Sequence, residues 1–177
     1  MRILPYSLMS AEFRAYDAQA TEIARLVGDA IRRVEPQLQV EHVGSTSVPG
    51  CGGKGIIDLA VLYPEGLLAR ARTVLDGLGF QKQGGPEPFP ENRPMRVGSV
   101  EHDGRPFQIH AHVIALDSDE HGELVWFRET LRRDSALRQS YEERKRAILA
   151  MGIEDSLEYC KAKEGFIEDV LKGRRAG

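Results

Sequence analysis

Residues 41–63, EHVGSTSVPGCGGKGIIDLAVLY, decide how the chain is read. His42 and Val43 close a short run that alternates apolar with polar residues. Gly44, Ser45, Thr46 and Ser47 follow, all small, with backbone N–H groups and hydroxyls able to face an anion at close approach. Pro49, Gly50, Gly52 and Gly53 keep the next residues out of regular structure, and Lys54 adds a positive charge. Ile56 to Tyr63 is then an apolar, β-branched run carrying one carboxylate, Asp58. The pattern is strand, glycine-rich turn, strand. Side chains alternate along a strand, so Ile56, Asp58, Ala60 and Leu62 share one face. A carboxylate among apolar neighbours is costly unless it is paired, hydrogen-bonded or bound to a metal.

Working outward, helical spacing of Phe13, Tyr16, Ala20, Ile23, Val27, Ala30 and Val34 predicts a first helix over 11–34, with Ser10 as its N-cap. Leu38–Val43 and Ile56–Tyr63 are the first two strands. Leu67 to Leu78 reads as an amphipathic helix closed by Gly79, and Phe80–Gln83 as a short strand. Met95–Val100 and Arg105–Ala115 form an antiparallel pair about the turn His102-Asp103-Gly104. Three helices complete the chain: Ser118 to Arg132, one starting at Asp134 and ending at Gly152, and one from about 154 to 171. This is an α/β (α+β) arrangement, a mixed sheet flanked by helices with a helical C-terminal part, expected to form a single domain over 1–177.

The totals narrow the function. A net charge of −3 gives no electrostatic case for a dedicated nucleic-acid binder. The two cysteines, Cys51 and Cys160, lack paired metal spacing, which points to a reducing, cytoplasmic setting rather than a disulfide framework. No apolar run approaches a membrane span, and no signal-peptide core follows Arg2.

Three further features carry candidate chemistry. Gln108, His110 and His112 share one strand face, so two imidazoles point into one space; the alternatives are a metal-ligand pair or an exposed polar face. The proline-rich loop QGGPEPFPENRP, 83–94, is either an ordinary connection or a flap that brings Arg93 or Arg96 to a phosphate. Tyr141 with Lys145, and Tyr159 with Lys163, are i,i+4 pairs: surface decoration, with the lysine stem along the ring, or cations at the rim of a phosphate site.

Val43-Gly44-Ser45 followed by Asp58-Leu59 resembles the signature of the nucleotidyltransferase superfamily that includes DNA polymerase beta. Ala60 stands where that pattern has its second acid. The combination of HVGSTSVPG at 42–50, Lys54 with IIDL at 56–59, HAHVI at 110–114, WFRETLR at 126–132, Tyr141 with Lys145, and Y-x-x-x-K-x-x-F-I from Tyr159 to Ile167 resembles the GrpB family, a branch of that superfamily. Cys51 and Gly55 replace the commoner leucine and proline. The resemblance implies a nucleotidyltransferase-like fold and a nucleotide-related site.

On that basis the expected activity is metal-dependent nucleotidyl transfer from a nucleoside triphosphate to an unidentified acceptor. The alternative is a non-catalytic module that binds a nucleotide or coenzyme. Asp58, His110 and His112 are the expected ligands of a divalent ion (Mn, Mg or Zn), with Asp58 and Lys54 at the catalytic centre. Gly44, Ser45, Thr46, Ser47, Arg93, Lys145 and Lys163 are the expected phosphate contacts. The partner is a nucleotide or nucleotide-like small molecule, with no membrane and no nucleic acid. Two further expectations follow. Metal affinity falls as pH drops through about 6.5, the usual histidine range. Gly44→Val weakens nucleotide binding and leaves the thermal midpoint nearly unchanged.

Overall fold

The structure is a computed structural model that describes residues 2–7, 12–85, 87–153 and 156–175. Its centre is a five-stranded mixed sheet in the order β1-β2-β5-β4-β3. The strands are β1 (Gln39–Val43), β2 (Ile57–Tyr63), β3 (Gln81–Lys82), β4 (Met95–His102) and β5 (Arg105–Ala115). β2 and β5 run parallel at the centre, while β1 and β4 pair antiparallel on their outer sides. Asp103 and Gly104 turn β4 into β5 with φ of 50° and 71°, the left-handed geometry of a tight hairpin.

One face of the sheet is apolar. Ile57, Leu59, Val61, Ile109, Ala111 and Val113 pack there against α1 (Gln19–Val34) and α2 (Leu68–Leu78). Ile23, Val27, Ile31 and Leu75 are fully buried in this layer, each such side chain stabilising the fold by about 1.5–3 kcal/mol. Gly79, at φ 103°, closes α2 in the left-handed conformation expected of a helix-ending glycine.

The other face is mixed. Ala60, Leu62 and Ile114 form a small core with Val43, packed against Leu116 and Leu124. Leu124 belongs to α3 (Asp119–Arg133), which is followed by α4 (Ser135–Ala150) and α5 (Ser156–Arg175). Ser118 and Asp134 cap α3 and α4, their side chains accepting from the N–H groups of His121 and Leu137. A second small core, Val48, Cys51, Leu131 and Tyr141, binds this helical layer to the loop after β1.

The first helix differs from expectation. It begins at Gln19, not near residue 11, and Ser10 lies outside the described residues. Arg14 instead forms a two-way backbone bridge with Gly53, at 2.7 and 2.9 Å. That bridge satisfies the backbone without a helix. The Asp17 carboxylate accepts from the Gln19 N–H and marks the true start. Phe13 therefore leaves the apolar face of α1; it packs over Gly52, and the Arg146 guanidinium lies 3.6 Å above its ring. The other expected elements stand within a few residues of their limits. Residues 154–155, at the expected start of α5, lie outside the described residues.

Candidate metal and phosphate site

The parallel register of β2 and β5 sets Asp58 beside His110 and Ala60 beside His112. Because alternate residues share a face, the carboxylate and both imidazoles emerge together on the mixed side of the sheet. Asp58 Oδ1 lies 3.4 Å from His112 Nε2 and 3.7 Å from His110 Nδ1. One donor atom from each residue falls within 4.8 Å of the others. A nitrogen–nitrogen–oxygen set of this kind fits a borderline ion such as Zn²⁺ or Mn²⁺ better than Mg²⁺, which prefers oxygen.

Neighbouring groups fix which atoms face inward. The Tyr6 hydroxyl is 2.9 Å from His110 Nε2, so that nitrogen is engaged and Nδ1 faces Asp58. Such an outer hydrogen bond commonly orients a ligand histidine. Leu4, two residues earlier, pairs its backbone with Ser99 on β4, and Ser7 N–H donates to the Ser99 hydroxyl. These contacts lay the N-terminal segment along the sheet edge and carry Tyr6 over the site. Arg93 Nη1 is 3.4 Å from His112 Nδ1. A guanidinium only donates, so Nδ1 accepts and Nε2 carries the proton directed at Asp58.

Burial pushes the Asp58 carboxyl upward. The hydrogen bond from His112 and the charges of His110, His112 and Lys163 outweigh it and hold Asp58 below the usual carboxylate range. His110 is lowered to about 4, mainly by burial, although Asp58 opposes the shift. Its ring is thus neutral and ready to donate an electron pair well below pH 6.5. Proton uptake at His110 thus lies below the histidine range on which the expected pH 6.5 dependence rests. Burial and Asp58 raise the Tyr6 phenol to about 12.

Gly44 is required here for two reasons. Its φ of 70° and ψ of −174° lie in a region essentially reserved for glycine. A Cβ would also stand 2.5 Å from Asp58 Oδ2. The expectation that Gly44→Val leaves stability unchanged is therefore corrected, since any side chain at this position collides with the carboxylate.

Residues Ser45–Ser47 form one 3-10 turn. The N–H groups of Ser45 and Thr46 head it, where no carbonyl of the turn itself is in reach. The Thr46 and Ser47 side chains have another role than the phosphate contact expected of them. Thr46 Oγ1 donates to the Ile56 carbonyl at 3.2 Å and lies 3.0 Å from His42 Nε2. Ser47 Oγ donates to the Gly44 carbonyl at 2.6 Å. Both hydroxyls lock the loop internally. From α3, Arg128 donates to the His42 carbonyl and Arg132, twice, to the Ser47 carbonyl. The arginines of WFRETLR thus hold the loop in place. Burial lowers the His42 imidazole to about 4, with Arg128 and Arg132 adding to the shift.

The cations divide into two groups. Lys54 and Lys163 both lie against the Tyr159 ring, 4.4 and 4.5 Å from its centroid, and both charges act on His110. Arg93 joins them at the site through His112 and is held there by an ion pair to Glu120. Lys145 and Arg96 do not. Lys145 is 1% exposed; its ammonium donates to the Gly52 carbonyl and packs against Cys51 and Tyr141 beneath the loop, so it is not a rim cation. Arg96 lies on the opposite face of the sheet, paired with Asp76 of α2 and with Glu91. One step of alternation from Met95, the partner of His112, turns it away from the site. Tyr6 escaped the sequence reading because its partner lies 104 residues away.

A family model described as GrpB protein matches residues 10–173. The chain belongs to the GrpB family. A UPF0157 protein of Vibrio cholerae is 30% identical over 156 residues, 88% of this chain and 78% of that protein. One from Halalkalibacterium halodurans is 26% identical over 164 residues, covering 92% and 77%. Among solved structures, the conserved protein GrpB from Enterococcus faecalis superposes with a TM-score of 0.70 at 24% identity, over 92% of this chain and 96% of that one. This likeness shows a shared fold. The mixed sheet flanked by helices, with a helical C-terminal part, is the α/β arrangement expected from the sequence, and it is shared with that GrpB structure. Among the described residues no helix is long and apolar enough to cross a membrane.

Proposed function

We propose that this GrpB protein is a metal-dependent nucleotidyltransferase acting on a nucleoside triphosphate and an unidentified acceptor. The observation that carries the proposal is the convergence of Asp58, His110 and His112 beside the Gly44–Ser47 turn. Asp58, His110 Nδ1 and His112 Nε2, the last once its proton has moved to Nδ1 and the Arg93 guanidinium has turned from that nitrogen, would hold one divalent ion, which when bound supplies charge neutralisation and polarisation of a phosphate. Tyr6 keeps His110 in the required orientation, and burial keeps the ring neutral. The leading N–H groups of the turn would bind phosphate oxygens. Lys54, Lys163 and Arg93 would stabilise the charge that grows on the leaving pyrophosphate as the acceptor attacks the α-phosphorus. The α3 arginines keep the loop from shifting while this happens.

A second reading has its own observation. Ala60, fully buried, leaves the site without a second carboxylate on β2. A module that binds a nucleotide or coenzyme without turnover needs none. Release of pyrophosphate from mixed nucleoside triphosphates with Mn²⁺ or Zn²⁺ separates the two. The transferase reading expects release that Asp58→Asn and His112→Ala abolish. Tight nucleotide binding with no release would establish the binding module instead.

A further inference from the structure

Val34, Phe89, Trp126 and Met151 are the large apolar side chains left exposed among the described residues. Phe89 stands against the candidate site. Its ring centroid is 5.9 Å from that of His112, edge to face at 86°. The Arg93 guanidinium covers one side of the ring at 4.4 Å and is itself tied to His112 and Glu120. The backbone around the ring is also held. Phe89 N–H donates to Gln83 Oε1 at 3.0 Å, and Arg93 N–H donates to the Pro90 carbonyl at 2.9 Å. Pro88, Pro90 and Pro94 restrict the same stretch.

Leaving Phe89 39% exposed forgoes burial free energy, and here the residue is pinned rather than loose. An arginine–phenylalanine layer with one open face is a surface for stacking a flat, electron-deficient ring. It lies one histidine ring away from the donors of Asp58, His110 and His112. A ligand that reaches both carries a heteroaromatic ring and a phosphate group in one molecule. We infer that Phe89, backed by Arg93, is the base-stacking platform of a nucleotide whose phosphates occupy the Asp58–His110–His112 site. This rests on the proposed phosphate site and adds how the ligand's ring is recognised. Stacking accepts any base, so the platform selects nucleotides over inorganic phosphates without selecting among the four bases.

The test compares two probes, a nucleoside triphosphate and inorganic tripolyphosphate, by calorimetry at fixed Mn²⁺. The wild type is expected to bind the nucleotide roughly tenfold more tightly than tripolyphosphate, the scale of one base–aromatic stack. Phe89→Ala and Phe89→Leu should remove that preference and leave tripolyphosphate binding unchanged, while Phe89→Trp retains it. The leucine variant keeps apolar bulk without a π-face, so an intact preference there refutes stacking. A preference that survives Phe89→Ala, or a wild type with no preference, refutes the platform and leaves the phosphate site standing. Equal loss of both probes in Phe89→Ala would instead mark Phe89 as a prop for the loop and also refute it. A wild type that binds neither probe overturns both this inference and the proposed function.

Discussion

Gly44→Ala is the sharpest perturbation the site offers. Two independent costs apply. The backbone at φ 70°, ψ −174° is held in a conformation that costs a non-glycine residue about 1–3 kcal/mol. The added methyl would lie 2.5 Å from Asp58 Oδ2 and 3.1 Å from its Cβ and Cγ, so the carboxylate or the loop must move. Moving the carboxylate loosens its hydrogen bond to His112, worth about 1 kcal/mol. Together the loss is on the order of 2–4 kcal/mol, which for a chain of this size lowers the thermal midpoint by roughly 5–15 °C. Thermal and urea unfolding measure it. The same substitution in an Asp58→Ala background removes the contacts to Oδ2 and Cγ and leaves only the 3.1 Å approach to Cβ, so most of the steric part should vanish and the backbone part remain. Mn²⁺ affinity should fall in Gly44→Ala, because its carboxylate no longer meets the imidazoles. A midpoint within about a degree of wild type would refute the backbone argument. An identical loss in both backgrounds would refute the carboxylate contact.

Other outcomes follow from the same geometry. Calorimetry with Zn²⁺ or Mn²⁺ should show one site that weakens at least tenfold in Asp58→Asn, His110→Ala or His112→Ala, a typical scale for losing one ligand group; unaltered affinity in all three would remove the metal from this position. Tyr6→Phe should weaken metal binding while barely changing the urea midpoint, and a variant that binds as wild type would show that the phenol does not orient His110. Arg96→Met, on the far face, should lower stability by about 1–3 kcal/mol and leave metal affinity unchanged, because it breaks pairs to Asp76 and Glu91 only. For pH, His42 and His110 titrate near 4 when folded and near 6.5 when unfolded. The unfolded chain therefore binds more protons between those values, and stability should fall as pH drops from 6.5 toward 4, by up to about 3 kcal/mol per ring. Urea midpoints at pH 7 and 4.5 measure this, and an unchanged value across that range would show that the rings are not held neutral.

Much of this was legible in the sequence, for local reasons. Strand alternation alone places Asp58 on one face with Ala60, and His110 on one face with His112. The turn at Asp103-Gly104 and the caps Ser118 and Asp134 are short-range signals that the structure follows. What was hidden depends on distant partners. Nothing in residues 11–18 announces that Gly53 would take up the backbone of Arg14, so an apolar helical spacing misled. Lys145 sits at a spacing that suits a surface pair, and only the packing of α4 on the 51–53 loop buries it. Thr46 and Ser47 look like free hydroxyls until Ile56 and Gly44 are seen to accept from them.

The register of β2 and β5 also bears on the acid missing from the superfamily pattern. An acid at position 60 would project beside Asp58 from the same strand. In this chain that position is a methyl group buried against Val43, Leu62 and Ile114, and the residue directly across from it on β5 is His112. The imidazole rises from the neighbouring strand on the same face and comes within 3.4 Å of Asp58. His112 would therefore offer a nitrogen where the resembled signature has the oxygen of its second acid. Two carboxylates bring two negative charges, which suits a pair of hard ions; one carboxylate with imidazole nitrogens suits a single, softer ion. Exchanging the two strands' roles tests this. Ala60→Asp combined with His112→Ala should shift the preference from Zn²⁺ toward Mg²⁺ and Mn²⁺ if the imidazole stands in for the missing acid. A double variant that keeps the wild-type metal order would show that position 60 and position 112 do not serve the same ion.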